Sequence, residues 1–419
     1  MQYIADLHFH SKYSRAVSRD MDLEHLSAVA KIKGLDVVTA ADFTHPAWFA
    51  ELKKKLALKP NGLYQLKNQT TNMHFMLTTE ISCIYSQGSK TRRIHLVVIM
   101  PTLEAVEKFN GLLLDEGANL KSDGRPIIGL TAERVLELVR ETDKTAILIP
   151  AHIWTPWFSM FGSKSGFDTV EECFGKQAKY IYAVETGLSS DPPMNWRLSQ
   201  LDKYSIVSFS DAHSPDKLGR EATVFDLESL SYGNIMAALK QSNRKNKVAY
   251  TVEFYPEEGR YHWDGHAKCN VRLSPAETRK NRGICPKCKK PVTVGVLSRV
   301  EQLADRPEGY MPTNRPPYKS LVPLKEIIAE SMDHGVNTKG VAAEYEAILK
   351  KGSNEFNILI NLSIDELKQI TDDTIVEAIK RVREGKMSVE PGYDGEYGIV
   401  KVFSAAERKK YVVKQEKLF

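Results

Sequence analysis

The first 245 residues alternate short apolar runs with amphipathic stretches, and that alternation restricts the possible folds more than any other feature. The runs lie at 3–7, 36–40, 74–78, 94–100, 145–150, 180–184 and 205–209, each the length of a buried strand. Between several of them apolar residues recur at helical spacing, as at 23–33 and 132–141. Strands that alternate with helices predict an α/β fold with a largely parallel sheet, because a parallel neighbour needs a crossover. About seven strands can form an open sheet or a barrel. Residues with metal-binding side chains favour the barrel. His8 and His10, Asp42 and His45, Glu80, His152, Glu185, Asp211 and His213 all stand just beyond a run. In a (β/α) barrel the C-terminal strand ends meet at one mouth, so these distant positions would converge there. His95 is the exception. It lies at the start of its run and must reach such a site from another direction.

A second region begins after about residue 246, where Gly, Cys and Lys rise and long apolar runs disappear. A Pro-rich stretch at 305–323 reads as an extended linker. Beyond it, 324–332, 339–350, 364–370 and 373–384 have helical periodicity, and Ser363 with Glu366 forms a capping-box pattern. The expected organisation is a catalytic barrel at 1–245, a zinc module at 246–304, the linker at 305–323, a helical DNA-binding domain at 324–400 and a basic tail at 401–419.

Hydrophobic residues at 42% and charged residues at 26% of 419 positions describe a folded globular protein, not a disordered one. No run approaches the roughly 18 apolar residues of a membrane span, and the start lacks a signal-peptide pattern, so the expected location is the cytoplasm. A net charge of +5 is weakly basic and compatible with a nucleic-acid partner.

The sharpest local motif is Asp6-Leu7-His8-Phe9-His10. On a strand, residues two apart face the same side, so both imidazoles can reach one ion. Ser210-Asp211-Ala212-His213 repeats that spacing with a carboxylate and an imidazole, and Asp211 and His213 are also catalytic candidates. Mixed nitrogen and carboxylate donors suit Zn²⁺, Mn²⁺ or Fe, with Mg²⁺ as an alternative. A cluster of two or three such ions would lower the pKa of a bound water and stabilise charge on a phosphodiester.

His266-x2-Cys269, 15 intervening residues, then Cys285-x2-Cys288 has the spacing of a closed tetrahedral site for one structural Zn²⁺. After His152 comes an aromatic-rich stretch holding Trp154, Trp157 and Phe158, followed by Lys164. Such rings either stack on a base lifted from a duplex or pack a loop over the barrel mouth. Asp191, in the loop after Glu185, is a candidate polar reader or general acid or base.

The first and last motifs resemble those of the PHP (polymerase and histidinol phosphatase) family. That resemblance implies a distorted (β/α)7 barrel with a trinuclear metal site that hydrolyses phosphoesters. It assigns His8, His10, His45, Glu80, His95, His152, Asp211 and His213 as ligands, with Glu80 bridging two metals. Members often carry an Asp shortly after the first motif, whereas Ser14-Arg15-Ala16-Val17 offers none, which leaves Asp42 or water for the third metal. Over residues 1–400 the chain resembles one PHP subgroup, endonuclease Q. The shared stretches include Ala41-Asp42-Phe43-Thr44-His45-Pro46, His152-Ile153-Trp154-Thr155-Pro156-Trp157-Phe158 and Pro391-Gly392-Tyr393-Asp394-Gly395-Glu396-Tyr397-Gly398. The resemblance implies incision of damaged double-stranded DNA 5′ to hypoxanthine, uracil, xanthine or an abasic site. The alternatives are a PHP phosphoesterase or 3′–5′ exonuclease, or a non-catalytic DNA-binding adaptor. Gln415, Leu418 and Phe419 at the end of the chain resemble the short peptide that docks on bacterial sliding clamps.

Overall fold

A computed structural model describes residues 1–67 and 73–411. The clamp-like peptide at 415–419 lies outside the described residues. The strand Gln2–Asp6 pairs in parallel with Val37–Thr39, which pairs in parallel with His74–Gln87. On its other side Gln2–Asp6 pairs antiparallel with Ala222–Asp226, and that strand pairs antiparallel with Lys247–Glu253. His74–Gln87 turns back through Gly88 and Ser89 into Lys90–Met100, which runs antiparallel to it and to Ile147–Pro150. Ala183–Glu185 and Ser205–Val207 form a separate parallel pair.

The sheet is therefore mixed, which corrects the expectation of a largely parallel one. Gly88 and Ser89 both have positive φ, at 58° and 60°. Two consecutive left-handed residues make the tight hairpin turn that suits twisted antiparallel strands, so this chain reverses without a crossover helix. The hairpin also merges what look in sequence like two short runs into arms of 14 and 11 residues.

Two apolar clusters follow from strand alternation. Ala5, Val37, Met76, Val97, Ile149, Ala183, Val207 and Phe225 come from successive strands and fill the interior, where Ile235 and Leu239 of the helix Tyr232–Leu239 also pack. Leu96, Val98 and Leu148, one residue out of step, face the outer layer with Leu26, Trp48, Phe109 and Val135. The outer helices are those the periodicity predicts. Leu23–Lys33 is capped by Asp22 and ends at Gly34 with φ 91°; Ala132–Thr142 is capped by Thr131.

The outer cluster runs without a break into Leu324, Ile327, Val341, Ile348, Ile375 and Ile379. These belong to the helices Leu324–Ser331, Lys339–Gly352 and Asp373–Arg383. The capping box of Ser363 and Glu366 opens Ile364–Lys368. The Pro-rich stretch is more than a connector: Tyr318–Ser320 adds in parallel to Lys247–Glu253 at the sheet edge. No helix among the described residues is long and apolar enough to cross a membrane.

Candidate metal centre and active site

Six donor residues gather in two groups, His8, His10 and Asp211, and Glu80, His95 and His152, each with donor atoms within 4.8 Å of one another. His8, His10, His152 and Asp211 follow their strands, while Glu80 and His95 lie within the two arms of the hairpin. Glu80 joins the two groups. Its Oε1 lies 2.7 Å from His95 Nδ1, 3.1 Å from His152 Nε2 and 3.6 Å from His8 Nε2, while Oε2 lies 3.3 Å from His10 Nε2. Asp211 Oδ1 is 3.2 Å from His10 Nε2 and 4.0 Å from His8 Nε2. The hairpin explains how His95 arrives. Its strand runs opposite to that of Glu80, with Ser82 paired to His95 and Glu80 to Val97, so Glu80 and His95 are diagonal neighbours on one face.

Backbone strain marks the same place. Asp42, His152 and Asp211 have φ of 38°, 28° and 45°. Non-glycine residues in the left-handed region cost about 1–3 kcal/mol each and persist where surrounding contacts hold them.

Asp42 and Glu185, expected among the ligands, stand behind the histidines. Asp42 Oδ2 accepts hydrogen bonds from Ser11 N, Ser11 Oγ and Ser14 Oγ at 2.6, 2.7 and 2.8 Å, and Oδ1 lies 3.1 Å from His10 Nδ1. Glu185 is hydrogen-bonded to His8 Nδ1 at 2.9 Å and accepts from His152 N at 2.8 Å. With Nδ1 so engaged, His8 and His10 turn Nε2 into the site, the arrangement that fixes the tautomer and orientation of metal-binding histidines. His213 flanks the first group, its ring centre 4.8 Å from that of His10 and its Nδ1 2.9 Å from the Asp211 carbonyl oxygen. His45 stacks on Tyr13 at 4.5 Å and belongs to neither donor group.

The donor chemistry fits metal ions. His8 Nε2, His10 Nε2 and Asp211 Oδ1 are buried without a hydrogen-bond partner, although each points at the others. Burial would raise Glu80, but the charges of His95 and Arg125 hold it well below the usual carboxylate range. Burial would lower His8 and His10, yet Glu185 and Glu80 raise the first, and Asp42, Asp211 and Glu80 raise the second, well above the ordinary imidazole range. A buried set of carboxylates calls for cations, whether protons on imidazoles or metal ions.

A further donor group unites His266, Cys269, Cys285 and Cys288 within 4.8 Å. His266 ends the strand Asp264–His266, Cys269 ends a tight turn before Val271–Leu273, and Cys285 and Cys288 flank a second turn. Four closed N and S donors suit a structural zinc.

Other candidates from the sequence lie elsewhere. Asp191 accepts a hydrogen bond from Met194 N at 3.0 Å and caps the helix Pro192–Trp196. It lines a cavity with Tyr255, Glu257, Tyr318 and Arg383, and none of the six donor residues lines that cavity. Trp154 is fully buried, donates to Asn195 Oδ1 at 2.8 Å and packs on Phe161, so it is core and not a base-stacking surface. Trp157 and Phe158 are half-exposed. Phe158 sits 4.8 Å from the His95 ring, and Trp157 lines a cleft of about 640 Å³ with Lys217, Arg220, Arg260 and Tyr261. Lys164 is exposed. The sequence reading passed over Arg125, whose Nη1 donates to Glu80 Oε2 at 3.0 Å. It follows no strand and belongs to no motif; only folding brings its loop to the mouth.

The family described as MJ0043 C-terminal domain matches residues 323–386. An uncharacterized Methanocaldococcus jannaschii protein, MJ0043, is 35% identical over 272 residues, which are 63% of this chain and 33% of that protein. This chain therefore spans about a third of that relative's length. The uncharacterized Bacillus subtilis protein YqxK is 29% identical over 95% of this chain and 98% of its own length. Among solved structures, the lesion-specific endonuclease PfuEndoQ of Pyrococcus furiosus superposes with a TM-score of 0.85 at 31% identity, covering 96% of this chain and 95% of that one. Endonuclease Q in complex with a 27-mer duplex carrying an abasic lesion at the active site superposes with a TM-score of 0.84 at 31% identity, over 100% of both chains. Full-length likeness at this identity, together with the paired donor groups at the barrel mouth, makes the chain a member of the endonuclease Q family.

Proposed function

We propose that the chain incises double-stranded DNA on the 5′ side of deaminated bases (hypoxanthine, uracil and xanthine) and of abasic sites. The observation that carries this reading is the pair of donor groups joined through Glu80 at the mouth of a barrel whose family includes a complex with an abasic duplex. His8, His10 and Asp211 would hold one ion and Glu80, His95 and His152 another; His213, beside His10, and His45, outside both groups, would be donors only to a further ion. Two or three ions held there, Zn²⁺ or Mn²⁺ or alternatively Mg²⁺, would supply a hydroxide nucleophile at neutral pH and would neutralise charge on the phosphate. Glu185 and Asp42 keep the two histidines of the first motif aimed inward. Trp157 and Phe158, half-exposed at the mouth, are the rings available to a lifted base, and exposed Lys164 to a phosphate. His266, Cys269, Cys285 and Cys288 would hold one structural Zn²⁺ and keep the module at 246–304 in shape for the duplex. The terminal Gln415, Leu418 and Phe419 would tether the enzyme to a sliding clamp, in the cytoplasm.

The test is cleavage mapping on duplexes that differ in a single base. One product ending 5′ to deoxyinosine, deoxyuridine, deoxyxanthosine or an abasic site, and lost in Asp211→Asn, is the expected result. Equal cutting of the undamaged duplex, or an end-labelled ladder, would overturn it.

A further inference from the structure

The donor groups account for the carboxylates and imidazoles of the mouth but leave a half-buried cation, Arg125, without an assigned task. Arg125 lies in the connection between the helix Leu103–Asp115 and the short strand Ile127–Ile128. Both chain neighbours of Arg125 are held by hydrogen bonds to segments that carry the site. Gly124 N donates to the Tyr13 carbonyl at 3.1 Å, the Gly124 carbonyl accepts from Thr44 Oγ1 at 3.2 Å, and the Pro126 carbonyl accepts from Ser82 N at 3.0 Å. Arg125 N donates to Asp123 Oδ1 at 3.0 Å. A Cβ on Gly124 would collide with Ser14 Oγ and Asp42 Oδ2, so only glycine lets the chain come this close to the support behind His10.

The result is a guanidinium held against the edge of the metal centre. Among the described residues it hydrogen-bonds one side chain, Glu80, through Nη1 to Oε2, the oxygen that faces His10. Its charge also acts on Asp211, His95 and His213, so it lies beside both donor groups. The side chain keeps 27% exposure, while that of Glu80 has none. A guanidinium carries five N–H donors in a planar fork. One is taken by Glu80, and among the described residues the guanidinium makes no second hydrogen bond. Arg220 differs: its Nε and Nη2 donate to the backbone carbonyls of Ser210 and Asp211 and brace the last motif; Arg15, paired with Asp123, is 80% exposed.

We infer that Arg125 binds a non-bridging oxygen of the scissile phosphate, with Glu80 holding its guanidinium in place while the open N–H edge faces the substrate. This rests on the reading of the mouth as a metal-dependent phosphodiesterase site. As the nucleophile's oxygen bonds to phosphorus and the P–O bond to the leaving strand breaks, charge grows on the non-bridging oxygens. A fixed cation in a water-poor site stabilises that charge more than it stabilises bound substrate. Arginine suits the task because it stays charged and can contact two oxygens at once.

The experiment compares metal-loaded wild type with Arg125→Lys and Arg125→Ala. It measures metal content by elemental analysis, affinity for inorganic phosphate by calorimetry, and hydrolysis of bis(p-nitrophenyl) phosphate with and without added guanidinium. Metal content should match wild type in both variants. Phosphate affinity should fall roughly tenfold or more, and kcat roughly 10²–10³-fold in Arg125→Ala, as for loss of one transition-state donor. Added guanidinium should restore part of the activity of Arg125→Ala. Wild-type phosphate affinity in Arg125→Ala would overturn the assignment. So would a loss of bound metal equal to the loss of activity, because Arg125 would then merely position Glu80. If lesion duplexes are not cut by wild type while phosphate affinity depends on Arg125, the lesion reading fails and the assignment stands.

Discussion

At the scale of single residues, a side chain's partners decide its role, and partners are what spacing along the chain conveys least. His8 and His10 could be read from their alternation with Leu7 and Phe9, because a two-residue period is a local property of strands. Whether Asp42 and Glu185 ligate an ion or hold a ligand's other nitrogen depends on tertiary contacts that only folding supplies. The consequence is testable. Glu185→Gln should leave the donor set intact but weaken its hold on metal roughly 10–100-fold, as for other carboxylates behind histidine ligands, in a chelator-competition titration. Asp191 was the opposite case, a carboxylate with a plausible chemical setting in sequence that turns out to cap a helix. Burial and the nearby Glu257 push its pKa up to about 7 from 3.8, against the hydrogen bond from Met194 N. A carboxyl that keeps its proton longer when folded contributes stability fully below the unfolded value of 3.8, and that contribution fades as pH rises through about 7. Asp191→Asn keeps a capping oxygen without the titration. Denaturant midpoints of the variant should therefore be flatter than wild type between about pH 4 and 7.

Among elements, those with a clear period or cap were legible and those set by a turn were not. Leu23–Lys33 appears where its apolar spacing predicts it, bounded by Asp22 and Gly34. The long hairpin was missed because Ser82 to Thr91 has no apolar alternation strong enough to announce two arms, and Gly88-Ser89 is a modest turn signal. That omission made His95 look misplaced, and the antiparallel register removes the anomaly. The knuckle at 266–288 shows the reverse balance. Its spacing is plain in sequence, while its apolar core is little more than Val271, Leu273, Cys285 and Val292. A core that small cannot hold a fold by burial alone, so the module should depend on its metal. Cys285→Ser is expected to lose one zinc per chain by elemental analysis and to make the 264–292 region cleavable by trypsin. The ions at the barrel mouth should remain.

At the scale of the whole molecule, the separation into modules suggested by composition gives way to a shared core. The apolar cluster around the barrel continues into the C-terminal helices, and Tyr318–Ser320 lies in the barrel's own sheet. One buried ion pair crosses the same boundary: Lys33 Nζ lies 2.8 Å from Glu355 Oε2, and both side chains are less than a tenth exposed. Glu355 also accepts from Tyr345 Oη at 2.6 Å and from Leu324 N at 3.0 Å. Burial would raise the Glu355 pKa, but Lys33 and these hydrogen bonds hold it below the ordinary 4.5. The depressed carboxyl therefore contributes stability above pH 4.5, and that contribution is lost as pH falls through its folded value. Lys33→Met removes the cation and leaves a buried charge, at a cost of about 3–5 kcal/mol near pH 7. Without Lys33 burial prevails, the carboxyl pKa rises, and protonating Glu355 relieves the penalty. The gap between variant and wild type in denaturant unfolding should then narrow from pH 7 to pH 5, where a purely steric defect would leave it constant. If the barrel and the C-terminal helices unfold as one unit, Lys33→Met should shift a single transition. Loss from the C-terminal helices alone, with the barrel's transition unmoved, would show that the shared core does not couple them.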